Sequence, residues 1–217
     1  MPDWLFRLLV YLPMLVLAVT VHEASHAWAA DRLGDPTARK LGRVSLLPTS
    51  HVDLWGTLIL PGLLLAIQAP YLFGYAKPTP VDPGRLRSPK RDFSLVALAG
   101  PGGNVGLALA FSAAGFFCFR WLGIDSPDAK TLVGAAIATN VLLAWLNLLP
   151  LPGFDGLKAL YVLLPDEWCW HLQRSERMMF LVLIAGAFLG FLNWAMTPAS
   201  AVGMALCTAA GTGQPTF

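Results

Sequence analysis

The alternation of long apolar stretches with short polar ones organises this chain before any single residue does. Trp4 to Val21 is apolar apart from Arg7 and Thr20, and after Pro13 neither proline nor glycine occurs until Gly34. One helix is therefore expected over Trp4–Leu33. At about 1.5 Å per residue it outruns a bilayer core of about 30 Å, so one end must tilt or emerge. Asp31, Arg32 and Gly34-Asp35-Pro36 mark the emerging end. Leu54–Phe73 is apolar again but split by Pro61-Gly62, which predicts a kinked span or a re-entrant hairpin. Phe93–Leu122 reads as a further span, as does a helix from about Lys130 to Leu149, stopped by Pro150-Leu151-Pro152-Gly153. Asp166–Arg177 reads as interfacial, with Trp168 and Trp170 at headgroup level. Met178–Trp194 and Thr197–Ala210 supply one or two more spans.

Between these lie a basic segment, Leu41–His51, expected to be irregular or extended, and a proline-rich loop, Lys77–Asp92. The pattern predicts an all-α polytopic membrane protein with about 4–6 transmembrane helices. One segment is re-entrant or kinked, and a short extended region follows the first helix.

Composition agrees. Apolar residues make up 56% and charged ones 13%, about half the charged share of a soluble chain; the mean hydropathy is +0.59. These values argue against a water-soluble enzyme and a disordered chain. The 217 residues suit one membrane-embedded domain, 1–217, with a core over about 4–164 and a helical tail over about 166–210. The first apolar stretch is longer than a signal-peptide core and lacks a small-x-small cleavage site, so it is expected to be retained. Cys118, Cys169 and Cys207 lie too far apart in sequence for a CxxC pair and read as apolar side chains.

The net charge is +2 and no basic run exceeds two residues, which leaves no footprint for nucleic acid. Residues 32–51 hold four Lys and Arg, and residues 77–91 hold five. The positive-inside rule places both loops in the cytoplasm. A single crossing between them would separate them, which favours the re-entrant reading of 54–73.

Candidate chemistry stands inside the first helix as His22-Glu23-Ala24-Ser25-His26. Histidines four apart share a helix face, about 6 Å apart along the axis, and both rings can reach one ion. Imidazole suits Zn²⁺, and Glu23 is placed to take a proton from water on the ion. Four His and three Glu in the chain give roughly 0.001 chance matches to this pattern. Three ionisable groups at membrane depth are costly unless they face a cavity or bind something. A tetrahedral catalytic zinc needs a third protein ligand. Asp155 is the best candidate, because the prolines before it force the backbone out of helix where it can line a cavity.

His22-Glu23-x-x-His26 followed by Asn147-x-x-Pro150-x-Pro152-x-x-Asp155-Gly156 resembles the site-2 protease family of intramembrane zinc metalloproteases. The resemblance extends to Gly42–Leu46 with His51-x-Asp53, to Gly74–Pro78, and to Ala99-Gly100-Pro101 with Asn104, covering about residues 15–160. The tail after Leu164 matches no family pattern, and no stretch is long and polar enough for a PDZ or CBS module. The resemblance implies one zinc per chain on His22, His26 and Asp155, with Glu23 as general base. It implies that Asn147 holds the substrate carbonyl or oxyanion; the alternative is a helix C-terminal cap. It further implies cleavage of a peptide bond within or next to the transmembrane segment of a membrane-protein substrate, single-pass in type, often after an earlier cut. The expected location is the cell membrane, with the active site nearer the cytoplasmic side.

His51 and Asp53 are candidates for a supporting or resting-state contact to the site, or else a turn and cap opening the next segment. Asn104 is a candidate for the same support, or for a hydrogen-bonded tie between helices. Gly100, Gly102, Gly103 and Gly106 are expected to permit close helix packing. Two other functions fit parts of the pattern. A divalent-metal transporter would use His and Asp at midplane but has no need of Glu23 beside a ligand. An inactive scaffold is disfavoured by the intact ligand set and base.

Overall fold

The computed structural model describes residues 3–67, 74–169, 171–172, 186 and 190–213. Among these residues every regular element is helical. Helix α1, Asp3–Leu33, carries Pro13 within it. A single helical turn, α2, Thr37–Lys40, follows where no element was expected. Leu41–Leu47 is irregular, and a tight turn at Pro48–Ser50 closes the segment. A wide π-type turn, Leu54–Ile59, leads into α3, Leu60–Ala66. Helix α4, Pro89–Gly115, is prolonged by a second wide turn, Phe116–Trp121. Helix α5 is Pro127–Leu148, α6 is Asp155–Ala159, and α7 is Phe191–Ala210.

Helices α4 and α5 start three or four residues earlier than their apolar content predicts. In each, proline occupies the first helical position, where its missing N–H costs nothing. Ser126 caps α5 by accepting from the Ala129 N–H, and Asp92 accepts from the Ser88 N–H at the start of α4. Polar first turns thus belong to the helices, although hydropathy alone assigns them to loops.

Among the described residues, three helices are long and apolar enough to cross a membrane: Trp4–Leu33, Pro89–Trp121 and Pro127–Leu148. Large apolar side chains such as Leu109, Phe117 and Trp121 lie on the outside, while the contacts between helices use small residues. Ala108 of α4, Ile137 and Val141 of α5, and Ala199, Cys207 and Ala210 of α7 form one buried cluster. The Trp145 indole N–H donates to the Ala195 carbonyl at 2.8 Å, tying α5 to α7. That distribution suits lipid as the solvent, since apolar bulk gains nothing by leaving acyl chains and close backbone approach gains dispersion contacts. Of the expected tail elements, Asp166–Cys169 is helical with Trp168 exposed. Trp170 and nearly all of 173–189 lie outside the described residues.

The helix that follows residue 53 is too short to cross a membrane by itself. Leu54–Ala66 is a short apolar helix, about 20 Å long against a core of about 30 Å. Residues 68–73 lie outside the described residues, but 74–77 come back to where the excursion began. The Tyr75 N–H donates to the Gly56 carbonyl at 3.1 Å and the Lys77 N–H to the His51 carbonyl at 2.9 Å. Arg43 reaches the carbonyls of Ser50 and Lys77 across the same neck. The end of α1 joins the returning chain as well. The Arg87 N–H donates to the Leu33 carbonyl at 3.1 Å, and the Asp82 N–H to Asp35 Oδ2 at 2.7 Å. Both basic loops therefore sit together at one end of the bundle, and the excursion between them starts and ends there.

Candidate metal centre

Helices α1 and α4 run antiparallel, and their matching four-residue spacings build the site. Ala18, His22 and His26 lie along one stripe of α1, and Val96, Gly100 and Asn104 lie along the opposing stripe of α4. His26 Nδ1 donates to the Val96 carbonyl at 2.7 Å. His22 Nδ1 donates to Asn104 Oδ1 at 2.7 Å, and Asn104 Nδ2 donates to the Ala18 carbonyl at 2.9 Å. Gly100 stands between the rings, and a β-carbon there would overlap His26 and crowd His22. Gly103 makes a similar close approach to Ser25, whereas Gly102 and Gly106 face open space and take no part in this packing.

The third partner arrives from the break after α5. Leu149 is extended ahead of Pro150, as the residue before a proline must be. Leu151–Phe154 then turns sharply: Phe154 N–H donates to the Leu151 carbonyl, with Pro152 and Gly153 at the centre. Gly153 has φ +88°, the left-handed value that a Pro-Gly turn of type II requires. This turn sets Asp155 at the start of α6, buried and aimed back at α1.

His22 Nε2, His26 Nε2 and Asp155 Oδ2 form a near-equilateral triangle. Its edges are 3.0 Å (His22–Asp155), 3.1 Å (His26–Asp155) and 3.1 Å (His22–His26). All three residues are buried, and they form the one His, Cys, Asp and Glu cluster among the described residues that could hold a metal ion. Because each Nδ1 faces an oxygen that accepts, a neutral imidazole at either position carries its proton there, and Nε2 is left bare. Three lone-pair donors thus converge with no hydrogen between them, an arrangement that calls for a cation. Ligands about 2.0–2.1 Å from a tetrahedral zinc stand about 3.3–3.4 Å apart, so the triangle needs to open only slightly. The donor set fits zinc.

Glu23 lies on the next position of α1. Its Oε2 accepts the Thr79 N–H at 2.8 Å, and the Thr79 hydroxyl donates to the Glu23 carbonyl at 3.0 Å. Thr79 stands between Pro78 and Pro80, so it holds the only N–H of that triplet. The second oxygen of Asp155 faces Lys158 Nζ at 3.4 Å.

Of the other expected site residues, Asn104 touches the triangle through His22, and Asn147, Asp53 and His51 make their hydrogen bonds elsewhere. Asn147 Nδ2 donates to the Leu143 carbonyl at 3.0 Å, so the amide turns back on its own helix, and the α5 cap is Leu149. Asp53 caps the turn into α3 by accepting from the Trp55 and Gly56 N–H groups at 3.0 and 2.8 Å. His51 is fully buried in the neck of the excursion and donates from Nε2 to the Ser45 carbonyl at 2.8 Å. Asn104 is both a tie between helices and the partner of His22. Thr79, Lys158 and Asn140, which accepts from Asn104 Nδ2 at 2.9 Å, escaped the sequence reading. Asn140 alone carried a usable signal, an amide in the middle of an apolar helix.

No family model matches the chain. No solved structure matches it either. Among curated proteins, it is 33% identical over 193 residues to a Bacillus subtilis protein named "Putative zinc metalloprotease YwhC", covering 84% of this chain and 83% of that one. It is 30% identical over 189 residues to a Mycobacterium tuberculosis protein named "Putative zinc metalloprotease Rip2", covering 82% and 70%. Similarity at this level over most of both chains shows that this chain belongs to the zinc metalloprotease family of YwhC and Rip2, and its buried donor set of two histidines and a carboxylate suits that family's metal.

Proposed function

We propose that this chain is an intramembrane zinc endopeptidase of the site-2 protease type, with one zinc held by His22, His26 and Asp155. The observation that carries this reading is the triangle of bare acceptors, two of them inside a helix long enough to span, with a carboxylate on the adjoining position of that helix. Zinc, when bound, supplies Lewis acidity for the scissile carbonyl and makes water a stronger acid. Glu23 accepts a proton from the attacking water and delivers it to the leaving amine. Thr79 orients the Glu23 carboxylate through one oxygen and leaves the other to face the reacting water. Asn147, released from Leu143, donates its amide to the oxygen that becomes negative.

The substrate is the transmembrane segment of a single-pass membrane protein, unwound locally so that a peptide bond can enter. The basic loops face the cytoplasm by the positive-inside rule. His26 lies seven residues from the end of α1, about 10 Å below that surface. The site is thus nearer the cytoplasmic side of the cell membrane.

Two experiments test this. Metal analysis of purified protein is expected to give about one zinc per chain, with most of it lost in His26→Ala and in Asp155→Ala; full retention in both variants would remove the ligand assignment. Membranes from cells carrying wild type and Glu23→Gln are then compared by proteomics. Single-pass fragments are expected with the wild type alone, and equal fragments from both would exclude Glu23 as the base.

A further inference from the structure

His22 and His26 present the same nitrogen to the site but are held there by different means. His26 Nδ1 donates to a main-chain carbonyl, that of Val96, which has one chemical identity and can only accept. His22 Nδ1 meets a side-chain amide, Asn104, whose two ends are a donor and an acceptor of nearly equal size. If Asn104 turned over, it would offer N–H to His22 Nδ1. The imidazole proton would then move to Nε2, and the nitrogen facing the site would have no lone pair to give.

Asn104 is kept from turning over by the Ala18 carbonyl and by a second buried amide one helix further away. Asn140 of α5 donates from Nδ2 to the Ala136 carbonyl, four residues back on its own helix, at 2.9 Å. That carbonyl can only accept, so Asn140 Oδ1 must face Asn104, where it accepts from Asn104 Nδ2 at 2.9 Å. The other hydrogen of Asn104 Nδ2 goes to the Ala18 carbonyl at 2.9 Å. A reversed Asn104 would set its oxygen against both of these oxygens. Asn104 and Asn140 are each fully buried, so no water is at hand to relieve that conflict. Every bond donates in one direction, from His22 through Asn104 and Asn140 to the Ala136 carbonyl. It joins α5, α4 and α1 at one point.

We infer that Asn140 is a positioning residue for the metal centre: through Asn104 it fixes the tautomer of His22, and it does so without touching the site. The inference rests on the reading of His22 as a ligand. It divides the pair into one histidine set by the backbone alone and one set through a side-chain relay that the Ala18 carbonyl and the replaceable Asn140 hold together. A substitution at Asn140 therefore acts on His22 and spares His26.

The test uses the full-length protein with ¹⁵N-histidine, stripped of metal by chelator, together with zinc affinity by chelator competition. The chain has four histidines, so the ring nitrogens can be assigned by single substitutions. Asn140→Leu removes the acceptor. Asn140→Ser is the second variant, because serine bonds its own helix carbonyl and folds readily there without reaching Asn104. The expected result is a new Nε2-protonated population of His22 in both variants, an unchanged His26, and zinc binding weakened about 10–100-fold. A His22 that stays wholly Nδ1-protonated with wild-type zinc affinity overturns the inference. Equal change at His22 and His26 also overturns it, marking Asn140 as a packing residue. His22→Ala separates the two levels: if it keeps its zinc, the ligand reading fails; if it loses zinc while the Asn140 variants do not, only the relay fails.

Discussion

Gly100 faces His26 across the α1–α4 contact so closely that a β-carbon on residue 100 would overlap the imidazole Nε2. The atom it would meet is the one that closes the acceptor triangle. Gly100→Ala is therefore expected to push His26 off its position, weaken zinc binding on the order of 10–100-fold, and cost about 1–3 kcal/mol through overpacking. Gly102→Ala, two residues away and facing open space, is the control. It should leave zinc binding unchanged and raise the melting temperature slightly, since alanine is the better helix former by about 0.5–1 kcal/mol. Equal zinc affinity in the two variants would show that the glycine at 100 serves only general packing.

Asn147 is expected to act on rate and not on metal binding. Asn147→Ala should keep zinc and fold while losing about 10²–10³ in kcat, the usual cost of one oxyanion donor. Asn147→Asp should be at least as slow, because a carboxylate repels the developing negative charge. Near-wild-type cleavage of a peptide substrate by Asn147→Asp would confine the residue to its bond with Leu143.

Lys158 touches the oxygen of Asp155 that faces away from the histidines. A partly exposed pair of this kind contributes about 0.2–1 kcal/mol. Lys158→Met should tighten zinc about two- to fivefold, because the ammonium competes with the cation for the Asp155 carboxylate, and Lys158→Arg should return the affinity to wild type, both read by chelator competition. A loss of zinc in Lys158→Met would mean instead that the lysine orients the carboxylate.

Asp35 ties the end of α1 to the returning loop. Burial pushes its carboxyl up, but the Thr37 hydroxyl, the N–H groups of Asp82 and Thr37, and Arg85 outweigh burial and hold it below the ordinary carboxylate range. A carboxyl lowered by folding stabilises the protein above its unfolded value of about 3.9, and that contribution is lost as pH falls below it. Asp35→Asn should cost about 1–3 kcal/mol at neutral pH, because an amide nitrogen must face one of three donors. It should also flatten the acid side of the melting-temperature profile. A profile identical to wild type below pH 4 would assign the acid sensitivity to other groups.

The topology makes a direct expectation. With the native cysteines removed, single cysteines at positions 40 and 90 should both be labelled by an impermeant reagent from the cytoplasmic side. Labelling from opposite sides would contradict the joined ends at Leu33–Arg87 and His51–Lys77.

The parts of this site legible in the sequence are those encoded within one element. His22 and His26 announce themselves because helical periodicity puts them on one face, and Asp155 because prolines visibly break the chain before it. Thr79 and Lys158 carried no such mark, because each acquires its role from a partner brought in by tertiary packing. Asn140 shows the limit from the other side: its isolation in an apolar helix was visible, but its partner lies 36 residues away. The boundaries of α4 and α5 were misplaced for a local reason. Hydropathy assigns Lys90, Arg91 and Asp128 to loops, whereas proline at the first helical position is the stronger signal.

The neck at His51 and Lys77 turns residues 52–76 into a cassette with both feet on one base. Insertions or deletions between those feet change a closed loop, and each doubling of its length costs only about 0.6 kcal/mol in closure. More importantly, a closed detour adds an even number of passages through the membrane, zero included. The antiparallel pairing of α1 with α4, on which the facing stripes of His22–His26 and Val96–Asn104 depend, is thus insulated from whatever length or sequence the cassette takes. The chain can vary this cassette without reversing the helix that faces His22 and His26.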